Sequence, residues 1–210
     1  MAYYSYKIEH DFGLAPNPFW GYCTLAVCKS KIRRNPNLKV GDWIIGTGSK
    51  KLKKNHHLIF TMQVEEIITM NEYWNESRFQ IKKPVVNGSL TQMYGDNIYH
   101  LNKSSEWIQE NSAHSLDKGI TNIEHLNRDT GGKNVLISKN FFYFGSNCPI
   151  IPDEFLDVCC EGRDIKSNAI PLKIADKFII WIKNKYEPGI YGDPINWNIY
   201  NIPDIKSNLS

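Results

Sequence analysis

The chain has 210 residues, 41% of them hydrophobic and 12% aromatic, which is enough to bury one sizeable core and falls in the size range of one domain. No apolar run approaches the ~20 residues of a membrane helix, since lysines flank even Phe178–Ile182, and the start MAYYSYKIEHD lacks the regions of a secretory signal; no membrane partner and a cytoplasmic protein are expected. The formal charge of +3 conceals a basic block of nine Lys and Arg against one acid between Lys29 and Lys54, which is either a footprint for a polyanion or a solvated face.

In chain order, YYSYKIE alternates as a strand, and DFGLAPNPFWGY is a ring-rich loop punctuated by glycine and proline. CTLAVC reads as a short buried strand. The five cysteines are odd in number and lack disulfide-framework spacing, so reduced thiols are expected. Cys23 and Cys28 could offer half a zinc site to His56 or His57, but strand geometry aims them at opposite faces, and no metal is assigned. Thiols in an apolar strand are expected to be inert. KSKIRRNPN is a brief turn or helical piece stopped at Asn35 ahead of Pro36. DWIIGTG is a strand ending in a glycine bend, LIFTMQVEEIITM is a longer β-prone run pairing with it, and NEYWNESRF is a helical turn.

From Gln80 to Lys133 periodicity is lost while aromatics persist, which predicts an irregular, ordered excursion over one face of the sheet. NVLIS and FFYFG return to strand character. PDEFLDVCC and Pro171–Tyr186 predict helices, the second with Ile174, Phe178, Ile182 and Tyr186 recurring along one face. The expected architecture is a single α+β domain over 1–210, with a β-rich core at about 1–70 and 134–150, an excursion at 80–133 and C-terminal helices within 152–186.

The stretch VGDWIIGTGSKKLKKNHH fails as a phosphate loop, because Thr47 and Gly48 stand where Lys and Ser or Thr are required. It fails as a dinucleotide fingerprint, because a strand rather than a helix follows. What remains is a corner in which Thr47, Gly48, Ser49 and Lys50 offer amides, hydroxyls and charge to a phosphate, with Arg33 and Arg34 in support. Flat faces for a base are sought among Phe19, Trp20, Trp43, Tyr94 and Tyr99, each of which competes with a place in the core. Asn17 carries a donor and an acceptor for a base edge, or else makes the turn before Pro18.

Within YGDNIYH a helical turn would set Asp96 and His100 on one face, where a carboxylate orients an imidazole base; an Asx-turn and a packed histidine is the competing reading. His114 in AHSL, and Arg128 with Asp129 in NRDT, add polar groups on aperiodic backbone, where sites tend to lie. No nucleophile is marked, since Ser112, Ser115 and Thr130 lack an elbow context.

The set APNPFWGYCTLAVCKSKIRR, GDWIIGTGS, YGDNIYH, HSL, RDT and VLIS with FFYFG resembles the nucleotide modification associated domain 2 family over roughly Asp11–Ile151. GDWIIGTGS followed by LIFTMQVEEIITMNEYW is also similar in layout to PUA-like domains of the EVE, ASCH and YTH kinds. The resemblances imply a small PUA-like β-barrel or a strongly curved mixed sheet with flanking helices. They also imply a link to systems that install, read or remove altered bases in phage or bacterial DNA, without supplying catalytic residues. Two functions follow. One is a binding module for a nucleotide or nucleic acid, such as DNA with a modified base, acting in phage defence with no cofactor. The other is an enzyme in which Asp96 and His100 or His114 perform acid–base chemistry on a nucleotide or DNA base, as group transfer or hydrolysis. Binding needs fewer coincidences.

Overall fold

The computed structural model describes residues 1–160, 165–167 and 170–200. After β1 (Tyr3–Ile8) and the ring-rich loop, β2 (Cys23–Leu25) is shorter than CTLAVC suggests and ends before Cys28. A single turn, α1 (Ser30–Arg33), stops ahead of Pro36. The lysine-rich loop then joins β3 (Trp43–Gly48) to β4 (Leu58–Gln63), which pair antiparallel, and β5 (Glu66–Thr69) follows a bend. Thr69 and Glu72 exchange hydrogen bonds in a capping box that starts α2 (Met70–Asn75).

The excursion contains regular pieces that its composition hides: α3 (Leu90–Met93), the hairpin of β6 (Tyr99–Leu101) with β7 (Trp107–Gln109), and α4 (Ile123–Thr130), which Asn122 caps. Next come β8 (Asn134–Ser138), β9 (Phe141–Tyr143), β10 (Ile165–Ser167), α5 (Leu172–Lys185) and β11 (Gly189–Ile190), and a 3₁₀ turn at Ile195–Tyr200 ends the described chain. Of the helical stretch expected at 152–186, residues 161–164 and 168–169 lie outside the described set; the rest includes a 3₁₀ turn at Asp153–Val158, strand β10 and helix α5. Residues 201–210 of the expected domain also lie outside it.

Two sheets share a corner. The larger has the order β10-β1-β3-β4-β9-β11 and mixes parallel and antiparallel pairs, and the smaller has the order β2-β8-β5. Because β4 pairs with β9 while β5 pairs with β8, the ribbon formed by these four strands leaves one sheet and enters the other. At the bend the Glu65 carboxylate accepts from the backbone N–H groups of Lys139 and Asn140. The PUA-like barrel is not what forms: among the described residues no pairing joins β10 to β11, so the larger sheet stays open and the architecture is a bent, mixed α+β one.

Alternation along β8 serves two cores, with Leu136 facing one and Val135 and Ile137 the other. The first core lies between the larger sheet and α5, which contributes Ala175, Phe178, Ile179 and Ile182. The second gathers Tyr73, Phe79, Tyr94, Ile98 and Tyr99 from α2, the 3₁₀ turn at Ser77–Lys82 and the excursion.

A buried polar network crosses that second core. Lys82 Nζ, fully enclosed, donates to Asn17 Oδ1 at 2.6 Å, to the Tyr22 carbonyl at 2.9 Å and to Thr24 Oγ1 at 3.1 Å. Thr24 Oγ1 and the Tyr73 hydroxyl in turn donate to the two oxygens of Asp96 at 2.6 and 2.7 Å. Burial pushes the Lys82 ammonium down to about 8 and the Asp96 carboxyl up, while each opposes the shift of the other. Gly95 allows this approach, because a Cβ there would lie 2.4 Å from the Lys82 carbonyl oxygen. The excursion is therefore ordered by polar pairing as well as by apolar packing.

Lys82→Met, which leaves Asp96 buried without its cation, is expected to lower the unfolding free energy by about 3–5 kcal/mol, read as a lower urea midpoint at unchanged slope. Adding Asp96→Asn should restore part of the loss. A single variant as stable as the parent would show that the two charges are not coupled.

Candidate functional site

A cavity of about 980 Å³ opens beside the end of β1, with His10, Phe12, Cys28, Tyr94, His114 and Arg128 in its walls. One wall is a stack of rings. His10 and Phe12 lie 6.3 Å apart with planes 13° from parallel, and Phe12 and Tyr94 lie 5.1 Å apart at 19°. The C-terminal turn holds this wall: Asp11 N–H donates to Asn196 Oδ1 at 2.7 Å, Trp197 Nε1 donates to the Phe12 carbonyl at 2.9 Å, and the hydroxyls of Tyr94 and Tyr200 meet at 2.8 Å. Cationic groups complete the lining, namely Lys7, Lys29 and Arg128. Lys29 Nζ is steadied by the Lys7 carbonyl at 3.0 Å and by the Tyr6 ring at 4.5 Å.

Cys28 and His114, also in the lining, begin a chain of three groups. Cys28 Sγ lies 3.7 Å from His114 Nε2, and His114 Nδ1 lies 2.8 Å from Asp129 Oδ2. The Asp129 carboxylate is fully buried and also accepts from the Tyr99 hydroxyl at 3.0 Å, from Arg128 Nε at 2.9 Å and from the Cys28 backbone N–H at 3.0 Å. Burial alone would raise this carboxyl, but hydrogen bonds from His114 and Arg128 outweigh it and hold Asp129 well below the usual carboxylate range. Burial likewise works against a charged His114, yet Asp129 and Cys28 push its imidazolium up to about 9. His125 packs edge-on to His114 at 4.5 Å, and its buried Nδ1 has no hydrogen-bond partner among the described residues.

The turn that presents Cys28 is backbone-strained. Cys28 has φ +52° and Lys29 φ +38°, successive left-handed residues that carry side chains. Arg33, at 1% exposure, secures it by donating from Nε to the Cys28 carbonyl at 2.8 Å and from Nη2 to the Asp129 carbonyl at 2.6 Å. Only glycine at 132 permits this, since a Cβ there would meet the Arg33 guanidinium at 2.4 Å.

Ligand atoms of Cys28, His114 and Asp129 lie within 4.8 Å of one another, a spacing a metal could use. The donor set argues against one. Both Asp129 oxygens are occupied by N–H and O–H donors, and the Arg128 guanidinium lies 3.9 Å from the sulfur, where it would repel a dication. The arrangement matches a thiol, a base and the group that orients the base.

The residues singled out in the sequence separate into groups. His114, Tyr94 and Arg128 reach the cavity, and Tyr99 sits behind it on Asp129. Asp96 and His100 do not share a helical face, because Ile98 leads directly into β6; Asp96 belongs to the Lys82 network. His100 stacks on Trp74 at 4.1 Å and pairs with Glu110 at 2.8 Å, beside a smaller hollow of about 450 Å³ lined by Trp74 and Glu110. Asn17 is consumed by Lys82 and by the Tyr94 carbonyl. Trp20 is half-buried, its Nε1 enclosed without a partner among the described residues; Phe19 stacks on Trp197, and Trp43 is core. Thr47 and Ser49 are buried, and the space a Gly48 side chain would take is filled by the Lys54 carbonyl, so this corner packs on its own loop and does not reach the cavity. Lys50 and Arg34 are exposed, whereas Arg33 is a buried brace. Sequence reasoning missed His10, Phe12 and Lys29 in the cavity lining, and also Cys28, which lies beyond β2, half-exposed, in place of an inert strand thiol.

A family model described as nucleotide modification associated domain 2 matches residues 1–201, a wider span than the motifs alone cover. No curated protein and no solved structure matches the chain.

His114 folds with its protonated form held to about 9 against an ordinary value near ~6.5, so its pairing stabilises the fold fully below about pH 6.5 and the contribution fades as pH rises through 9. The difference in unfolding free energy between the parent and His114→Gln should therefore shrink by up to about 3 kcal/mol between about pH 6 and about pH 9.5 in urea titrations. A difference constant across that window would show that the pair does not form.

Proposed function

The chain belongs to the nucleotide modification associated domain 2 family, and from that premise we propose that its cavity binds a nucleotide presented by a nucleic acid strand. One observation carries the reading: near-parallel rings and cationic side chains line the same hollow, which has the size of small-ligand sites. A base offers flat faces that join the His10, Phe12 and Tyr94 stack, and its phosphates answer Lys29 and Arg128. The basic loop supports a polymer over a free nucleotide. Exposed Lys51 reaches His10 Nε2 at 2.7 Å, so positive surface runs from the loop to the cavity mouth, where a backbone can lie while one base enters. The finer reading is recognition of an altered base in DNA, as phage-defence systems require, and it draws on the family's description together with this cavity.

Two measurements test it. Phe12→Ala removes the middle of the ring stack and should weaken binding of a single-stranded oligonucleotide by about 5- to 100-fold, at the scale of one lost stacking partner. Lys50→Ala with Lys51→Ala and Lys53→Ala should flatten the dependence of log affinity on log salt by about 2. Affinity unchanged by Phe12→Ala would remove the ring wall from the site, and an unchanged slope would confine recognition to the cavity.

A further inference from the structure

We propose that Cys28 is a nucleophile with His114 as its general base, and that the cavity moves an acyl group from its ligand to the Cys28 sulfur and then to water. The nucleotide reading above supplies only the carrier of that acyl group. Geometry supplies the rest. The sulfur faces the cavity from a strained strand-to-helix turn, His114 Nε2 faces the sulfur at 3.7 Å, and Asp129 fixes the opposite ring nitrogen at 2.8 Å. The other four cysteines are buried, three of them within or against the cores, so the structure presents one thiol to this cavity and does so beside a base.

In the first step the proton shared by the thiol and the imidazole rests on His114 Nε2, as the site favours below about pH 9, and a Cys28 sulfur lone pair forms a bond to the carbonyl carbon of an ester or amide. The carbon–oxygen or carbon–nitrogen bond then breaks, its electron pair stays on the leaving atom, and His114 returns the proton there. In the second step His114 takes a proton from water, the hydroxyl bonds to the thioester carbon, the carbon–sulfur bond breaks, and the sulfur regains the proton as the carboxylic acid departs. No oxidant or further reactant is needed. Arg128 Nη2 lies 3.9 Å from the sulfur, where its charge can answer the negative charge that develops on the carbonyl oxygen. Asp129 is a positioning residue. Its buried carboxylate keeps Nδ1 hydrogen-bonded, which turns Nε2 toward the sulfur. The groups facing His114 are Cys28, Tyr99, His125, Arg128 and Asp129, drawn from the turn, the hairpin and α4.

Iodoacetamide labelling followed by peptide mass mapping, and acetylation by p-nitrophenyl acetate, test this on the full chain. Cys28 should be the labelled and acetylated residue, Cys28→Ser should abolish both, and His114→Gln should slow labelling by about 100-fold with circular dichroism unchanged. Asp129→Asn should move the upper limb of the labelling pH profile to lower pH, whereas a merely structural loss slows labelling at every pH without moving it. The single-stranded oligonucleotide used for the binding measurements should protect Cys28. Labelling of Cys28 no faster than that of glutathione, equal rates in His114→Gln and the parent, or stoichiometric zinc that blocks labelling until chelated would each overturn the nucleophile. Acetylation of Cys28 with no protection by the oligonucleotide would instead overturn the nucleotide reading of the cavity and leave the nucleophile standing.

Discussion

A single buried negative charge organises the functional half of this molecule. The Asp129 carboxylate draws hydrogen bonds from the turn after β2, from Tyr99 on β6, from the loop that carries His114 and from its neighbour Arg128. An ionised carboxylate removed from water costs several kcal/mol unless its lone pairs are filled, so each of these segments is fixed by the need to satisfy the same group. Arg33 works from behind, tying the carbonyls of Cys28 and Asp129 to one guanidinium. What holds the backbone together here is therefore also what sets the distances among thiol, imidazole and carboxylate.

A second buried charge pair plays the same part a few residues away. Lys82 and Asp96 knit the loop at Asn17, strand β2, helix α2 and the excursion into one unit. Between them the two networks explain how a stretch with almost no apolar periodicity becomes ordered, and why the ring wall and the histidines stand on firm ground. Binding and catalytic side chains commonly sit on irregular backbone held by a rigid scaffold; here the scaffold is partly ionic.

Strands β1 to β5, β8 and β9, and helix α5, were legible in the sequence because β-branched and aromatic runs, and the recurrence of Ile174, Phe178 and Ile182 at every fourth residue, report directly on burial. His114, Arg128 and Asp129 stood out for a related reason, since aperiodic backbone has no packing need for them. Cys28 was not legible. CTLAVC is uniformly apolar, and nothing local says that pairing stops at Leu25; the left-handed turn is fixed by Asp129, 101 residues away. Charge proved equally silent about depth, for Arg33 and the exposed Arg34 are adjacent yet only the second meets solvent. The spacing of Asp96 and His100 suggested a helix, but spacing has that meaning only if the backbone coils, and the chain enters a hairpin instead.

The turn at Ile195–Tyr200 reaches across 185 positions to clasp Asp11 and Phe12, and its last tyrosine meets Tyr94. Where a gene fragment is cut therefore decides whether the hollow retains its outer scaffolding. A piece that stops soon after α5 keeps every strand of the larger sheet except β11, and every member of the thiol chain, while leaving the aromatic panel unmoored. Shortened versions would then look well folded to spectroscopy and still report misleadingly on what the intact protein holds.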